Sequence, residues 1–266
     1  MVAGLTASHR GGSGSPMVLL HGFTGSWRVW ELVLAQLERR HDVLAPTLPG
    51  HAGGPRIGDP VTTDEILAAA EQMLDDAGFR TAHLVGNSLG GYIALRLAQR
   101  GRARSVVALA PAGGWVLGDP ALPQTLAQFI EWQEAFRAIA PHADAIARTP
   151  DGRRRATSAL TATFEHIPPE LVVHIINATA FCPGTQPLID TALREGYDLD
   201  PQRITCPVRV VWGTEDTLLP WPSTAARYLH DWLPHADWVE LDGVGHCPQL
   251  DVPLETAQLI LGFTAS

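Results

Sequence analysis

A serine stands between two glycines at the point where an apolar strand gives way to a helix. Ala82-His83-Leu84-Val85 leads into Gly86-Asn87-Ser88-Leu89-Gly90, and Gly91-Tyr92-Ile93-Ala94-Leu95-Arg96-Leu97-Ala98 follows. A short apolar run of this kind reads as a buried strand, and the small-then-apolar run after it as a helix packed close by. The chain can pass from one to the other within five residues only through a tight, strained turn. Glycine at 86 and 90 leaves the helix room to approach neighbouring strands. A serine on such a turn is held with its hydroxyl exposed. The helix that begins just beyond it offers unpaired N–H groups and a positive dipole end, which is where a developing oxyanion is best stabilised.

The pentapeptide alone also fits a glycine-rich surface turn, so its partners decide the matter. A serine hydroxyl is a weak nucleophile and needs a base, which in turn needs an orienting acid. Val208-Arg209-Val210-Val211-Trp212-Gly213 is an apolar strand that ends in the polar turn Thr214-Glu215-Asp216. Trp238-Val239-Glu240-Leu241 is a second strand, followed by Asp242-Gly243-Val244-Gly245-His246. Serine, carboxylate and histidine therefore come in the chain order Ser88, Asp216, His246, each on a strand-end loop. Glu215 and Asp242 are the other carboxylates that a shifted loop could bring to the histidine.

With these residues in view the chain resembles the α/β-hydrolases over nearly its whole length. The family's "HG" pair after its third strand matches His21-Gly22-Phe23, and its "PGHG"-like turn matches Pro49-Gly50-His51-Ala52-Gly53. The aspartate that usually precedes that turn is replaced here by Thr47. The resemblance implies a catalytic triad of Ser88, Asp216 and His246. It also implies an oxyanion hole made by the backbone N–H groups of Phe23 and Leu89. The implied fold is a mostly parallel sheet covered by helices on both faces, with an inserted helical cap. Residues 1–113 and 200–266 would form the core, and 114–199 the cap. The short N-terminus implies that the antiparallel hairpin opening many members is abbreviated or reduced to one edge strand.

Periodicity agrees with an α/β class. Strands are expected near 17–22, 42–48, 81–87, 105–111, 207–213 and 236–242. Helical spacing runs over 27–40, from Thr62-Thr63-Asp64-Glu65 (a capping box) to about Ala77, and over 251–263. Alternation of this kind predicts a parallel sheet. Helical stretches at 122–139 and 168–179, with no convincing strand between Gly114 and Leu199, predict a roof over the edge where such sheets bind ligands. Of the rings in that segment (Trp115, Phe129, Trp132, Phe136, Phe164 and Phe181) most are expected to pack cap on core and one or two to line an apolar acyl or aromatic pocket, with Trp115, Phe129, Trp132 and Phe181 as the candidates. Thr24 is a candidate for the polar floor. His21 and His51 are expected to hold loop backbone, and Arg153-Arg154-Arg155 to form a solvated face.

Composition narrows the function classes. A formal charge of −9 argues against a nucleic-acid binder. No apolar run is long enough to span a bilayer, and Met1 to Pro16 lacks the apolar stretch of a secretory signal, so a cytoplasmic location is expected. Cys182, Cys206 and Cys247 are too scattered for a disulfide framework or a zinc site. No metal is expected, and the triad chemistry needs no cofactor. The expected partner is a small, largely apolar ester cleaved through an acyl-enzyme. A carbon–carbon bond hydrolase of the meta-cleavage type, a lactonase or a thioesterase would use the same triad, and a non-catalytic ligand receptor is the remaining class. Epoxide hydrolases and haloalkane dehalogenases share the fold but place aspartate where this chain has Ser88.

Overall fold

The computed structural model describes residues 5–116 and 118–264. In chain order the first elements are β1 (Ser8–Gly12), β2 (Ser15–Leu20), a 3₁₀ turn at Trp27–Trp30, α1 (Glu31–Leu37), β3 (His41–Pro46), α2 (Thr63–Asp76), β4 (Ala82–Asn87), α3 (Leu89–Gln99) and β5 (Ala103–Leu109). Five helices follow: α4 (Ala121–Ile139), α5 (Ala143–Ala147), α6 (Pro150–Thr157), α7 (Pro169–Ala180) and α8 (Thr185–Glu195). The chain then returns to β6 (Val208–Gly213), a π-helical turn at Tyr228–Trp232, β7 (Asp237–Leu241), α9 (Pro248–Asp251) and α10 (Pro253–Thr264). Among the described residues between β5 and β6 there is no strand.

The seven strands order as β1-β3-β2-β4-β5-β6-β7. All neighbours are parallel except β1, which pairs antiparallel with β3. The expected opening hairpin is therefore one edge strand, and residues 1–4, at the start of that segment, lie outside the described residues. The central stretches of the inner strands are apolar on both faces because both faces are covered. Val18, Leu20, Leu84, Val106 and Val210 pack on one face with Leu67, Leu74, Ile93 and Leu97 of α2 and α3. Met17, Leu19, Val85, Val107 and Val211 pack on the other with Val33 and Leu37 of α1 and Ile260 of α10. The strict alternation along each strand follows from side chains pointing to opposite faces at successive residues.

Helix α2 begins as the sequence implies. The Thr62 hydroxyl accepts from the Glu65 amide at 3.2 Å, and the Glu65 carboxylate accepts from the Thr62 amide at 2.7 Å. The helix at 27–40 is shorter than its periodicity suggests: it opens as a 3₁₀ turn and stops at Leu37. Arg39-Arg40 then turns the chain so that His41 can enter β3.

The strand order places the site. β2 lies between β3 and β4, so the chain leaves β2 toward one edge and returns on its other side to form β4. Leu20 pairs with Gly86, which sets His21-Gly22-Phe23 and Ser88 side by side beyond the C-terminal ends of neighbouring strands. Crevices at such reversals are where open α/β sheets bind ligands.

Candidate active site

The turn carrying Ser88 is as tight as its glycines imply. Ser88 has φ 54° and ψ −119°, a backbone state that costs on the order of 1–3 kcal/mol and persists only where its surroundings enforce it. A Cβ on Gly86 would collide with the carbonyl of Gly90, and one on Gly90 with the carbonyl of Leu20. The Ser88 amide donates to the Leu109 carbonyl at 2.9 Å, while its carbonyl accepts from Tyr92 and Ala112. The strained residue is thus fixed through its backbone, leaving the hydroxyl uncommitted.

His246 and Asp216 are brought together although they lie thirty residues apart. The His246 Nδ1–H donates to Asp216 Oδ2 at 2.7 Å. Asp216 Oδ1 accepts from the amides of Leu218 at 2.9 Å and Leu219 at 2.7 Å. Both side chains are almost wholly buried. A carboxylate holding three donors in a dry site can neither rotate nor leave, so it fixes the imidazole tautomer with Nδ1 protonated. His246 Nε2 is buried and meets no partner among the described residues, so its lone pair is available to a substrate-bound proton. Ser88 and His246 line the same pocket without a direct hydrogen bond, as is common before substrate tightens such contacts. Glu215 and Asp242 are exposed; Asp242 accepts from the Thr214 hydroxyl at 3.3 Å. Neither reaches the histidine.

The loop after β2 completes the constellation. A Cβ on Gly22 would lie 3.2 Å from the Ser88 Cβ, so only glycine lets this loop approach so closely. Leu89 opens α3, ahead of the first intrahelical bond. The amides of Phe23 and Leu89 donate to no described residue, and both residues line a pocket with Ser88. His21 holds the loop in place. Its Nδ1–H donates to the Gly22 carbonyl at 2.7 Å, and Nε2 accepts from the Leu48 amide at 2.8 Å. Burial drives its pKa well below 6.5. His51 donates to the Pro49 carbonyl at 3.0 Å and packs edge-on against His21.

Two pockets open on Ser88. One is walled by Ile66, Leu67, Ile93, Trp115, Leu126, Phe129 and Tyr197 and encloses about 770 Å³ of empty space, part of it open to solvent. The other, about 870 Å³ by the same measure, holds Thr24, Ser26, Trp132, His174, Thr179 and His246. Of the four candidate rings, Trp115, Phe129 and Trp132 line these pockets. Phe181 does not. It follows the last residue of α7, where the chain turns outward, and 43% of its surface is exposed; it borders a separate surface pocket beside His51 and Pro183. A ring at a helix end takes its direction from the turn that follows, which spacing within the helix does not reveal.

Two further residues, Asn87 and Asp251, tie the site together. Asn87 Nδ2 donates to the carbonyls of Leu109 and His246, and its Oδ1 accepts from Gln249. Asp251, 4% exposed, accepts from the amides of Gly245, Ala162 and Thr163 at 2.7, 2.7 and 2.8 Å, and from the Thr163 hydroxyl. It therefore fastens the loop before His246 to the segment after α6. Asp251→Asn replaces one acceptor with a donor facing N–H groups. We expect a loss of about 2–3 kcal/mol in stability and, because His246 is displaced, a fall in kcat on the order of 10-fold. Thermal melting and steady-state kinetics check both. Cys247 is buried, its Sγ–H meets Asn87 Oδ1, and burial drives its thiol pKa well up, so it is inert as a nucleophile.

Burial also holds His51, His83 and His174 at a pKa of about 4, against ~6.5 in an unfolded chain. Below pH ~6.5 the unfolded chain takes up these protons and the folded one does not, down to about pH 4. The stability from neutral burial is therefore whole above pH ~6.5 and lost as pH falls toward 4, by roughly 1 kcal/mol per histidine per pH unit. Thermal melting between pH 7.5 and 5 should show a falling midpoint; a flat profile would mean these rings titrate as freely in the fold as outside it.

The chain matches the model of the Alpha/beta hydrolase family over residues 17–259. It belongs to that family. Among its relatives, this α/β hydrolase is 36% identical over 194 residues to the epoxide hydrolase EphH of Mycobacterium tuberculosis, covering 73% of this chain and 90% of that protein. It is 31% identical over 259 residues to a pimeloyl-(acyl-carrier protein) methyl ester esterase of Aromatoleum aromaticum, covering 92% and 96%. In structure it resembles carboxylesterase CesB of Bacillus subtilis, with TM-score 0.74, 20% identity, and coverage of 97% and 86%. It also resembles the enol-lactonase of Burkholderia xenovorans, with TM-score 0.74, 18% identity, and coverage of 97% and 96%. At these identities the two structures speak to the fold alone. The family makes the chain a hydrolase. Among the described residues no helix is long and apolar enough to cross a membrane.

Proposed function

We propose that the protein is a serine hydrolase that cleaves a carboxylic ester through an acyl-enzyme. The observation that carries this reading is the buried Asp216–His246 pair, with its free Nε2 in the same pocket as the strained Ser88. Ser88 Oγ attacks the carbonyl carbon while His246 Nε2 takes its proton. Asp216 stabilises the imidazolium that forms, and the amides of Phe23 and Leu89 donate to the oxyanion. Nε2 then passes the proton to the departing alkoxide. Water attacks the acyl-enzyme with His246 again as base, releasing the acid and restoring Ser88. The helices between β5 and β6 serve as the cap, since α4 and α8 supply part of the walls on either side of Ser88. The apolar pocket, roofed by Trp115, Leu126 and Phe129, suits a hydrocarbon acyl chain.

The kinship with an epoxide hydrolase raises a second chemistry, and the residue at 88 bears on it. A carboxylate that opens an epoxide leaves an ester, which water can hydrolyse at the carbonyl. A serine that opened one would leave an alkyl ether with no carbonyl to attack, and the enzyme would stop after one turnover. Serine at this position therefore supports acyl transfer.

The test is hydrolysis of p-nitrophenyl esters of graded acyl length, with a styrene-type epoxide and a meta-cleavage dienoate alongside. Ester turnover with an optimum at short to medium chains is the expected result. Turnover of the epoxide or the dienoate, with every ester inert, would contradict it.

A further inference from the structure

The two pockets share Ser88, Phe23, Phe129 and Leu218, but His246 lines only one of them. That asymmetry sets the direction of the reaction. The group that protonates the leaving oxygen must lie within hydrogen-bond reach of it, and Nδ1 of His246 is committed to Asp216, so Nε2 delivers the proton. The alcohol must therefore depart on the His246 side, and the acyl chain must lie in the pocket walled by Leu126 and Trp115.

The polar chemistry of the two pockets differs to match. Around the acyl side most hydroxyls are already used. Thr125 donates to the Ala121 carbonyl, Thr191 to those of Val61 and Pro187, and Tyr92 to that of Asp198; Tyr197 is the exception. The His246 side keeps unused hydrogen-bonding capacity behind buried walls. His174 of α7 has Nε2 2.9 Å from the Ser26 hydroxyl. That hydroxyl also accepts from the Arg28 amide, and its bond to Nε2 runs in either direction with the imidazole tautomer; in both cases His174 Nδ1 is left over, as a donor in one tautomer and an acceptor in the other. No described residue bonds to it. Thr24 Oγ1 and Thr179 Oγ1 stand 3.4 Å apart, and one hydrogen bond between them leaves one hydroxyl proton over. Thr24 is only 4% exposed, and it is a β-branched residue at φ 59°. That conformation is unfavourable for its residue type and is typical of a position held in place for a function. Polar groups left unmet in such a wall would carry a desolvation penalty. The charged residue on this side, Arg155, is largely exposed and pairs with Asp151, so no charge is buried there.

We propose, building on the serine-hydrolase reading, that the His246-side pocket binds the alcohol portion of the ester, and that this alcohol carries a further neutral hydroxyl, as in a glycol or glycerol ester, exchanging hydrogen bonds with His174 Nδ1 and the Thr24–Thr179 pair. The substrate class is then an ester of an apolar acid with a hydroxylated alcohol. In the first half-reaction the Ser88 Oγ–acyl bond forms and the acyl–O(alkyl) bond breaks. The Ser88 proton travels through His246 Nε2 to the alkyl oxygen, and the polyol leaves neutral.

The experiment compares butyl butyrate with the butyrate monoesters of ethylene glycol and glycerol, by pH-stat, on the full chain, with p-nitrophenyl acetate as a third substrate. Wild type should favour the hydroxylated esters over butyl butyrate by about 10-fold or more in kcat/KM, because a site that hydrogen-bonds an oxygen disfavours the analogue lacking it. His174→Phe and Thr24→Val should each bring that ratio toward one, with the loss appearing in KM for the hydroxylated esters. Thr179→Val, which keeps shape and removes only a hydroxyl, carries the same test if His174→Phe does not fold. A wild-type ratio at or below one, or a preference that survives all folded variants, overturns the proposal. Failure of the underlying reading looks different: no Ser88-dependent turnover of any ester, p-nitrophenyl acetate included.

Discussion

Ser88→Ala should lower kcat for p-nitrophenyl ester hydrolysis by on the order of 10⁵–10⁶, to near the uncatalysed background. The magnitude follows from how the site is divided. His246 and Asp216 move a proton, and the Phe23 and Leu89 amides meet an oxyanion, but only Ser88 Oγ can form the acyl bond. Stability should hardly change. Among the described residues the Ser88 hydroxyl meets no hydrogen-bond partner, whereas its backbone makes several bonds. Alanine meets the same φ of 54° with a Cβ of the same size, so the strain is unaltered. Kinetics and thermal melting of one sample read both quantities. A large drop in melting temperature would mean that the hydroxyl has a structural partner, and retained activity would remove Ser88 from the mechanism.

Asp216→Asn should cut kcat by about 10⁴ with little change in KM. Asp216 Oδ1 is held by the Leu218 and Leu219 amides. An asparagine keeps its oxygen there, since two N–H groups cannot face an NH₂. The amide nitrogen then turns to His246 and donates. Nδ1 must become the acceptor, the proton moves to Nε2, and the ring presents a donor where the mechanism needs a base. Glu215→Gln and Asp242→Asn are the controls. Both carboxylates are exposed and remote from the imidazole, and each change should alter kcat by less than about 2-fold. A comparable loss in either would move the acid to that residue.

These effects concern residues that could be found without coordinates, because each sits on a strand-end loop with glycine beside it. Gly86 and Gly90 mark where a helix crowds a strand, Gly213 and Gly245 mark where the acid and base loops meet, and alternating apolar runs locate the inner strands. The capping box gave the start of α2 for the same reason: its hydrogen bonds close within four residues. What escaped the sequence was non-local or not periodic. Helix α8, with Pro187 in its first turn and mixed polarity, and the π-helical turn at Tyr228–Trp232 carry no clean 3.6-residue pattern. Asp251 reads as the start of the closing helix, and only the fold shows it accepting from residues nearly ninety positions away. His174 and Ser26 look like a helix-face histidine and a turn serine until α7 is laid across the loop after β2. Phe181 went the other way: its ring suggested a pocket, and the turn after α7 points it outward.

The most direct test of the central claim is intact-protein and peptide mass spectrometry after treatment with a p-nitrophenyl alkylphosphonate, a trap that mimics the tetrahedral acyl centre. One adduct per chain, on the peptide containing Ser88 and absent in Ser88→Ala, with loss of ester hydrolysis in proportion to labelling, is the predicted result. Labelling at another residue, or full labelling of Ser88 with hydrolysis intact, would contradict the account.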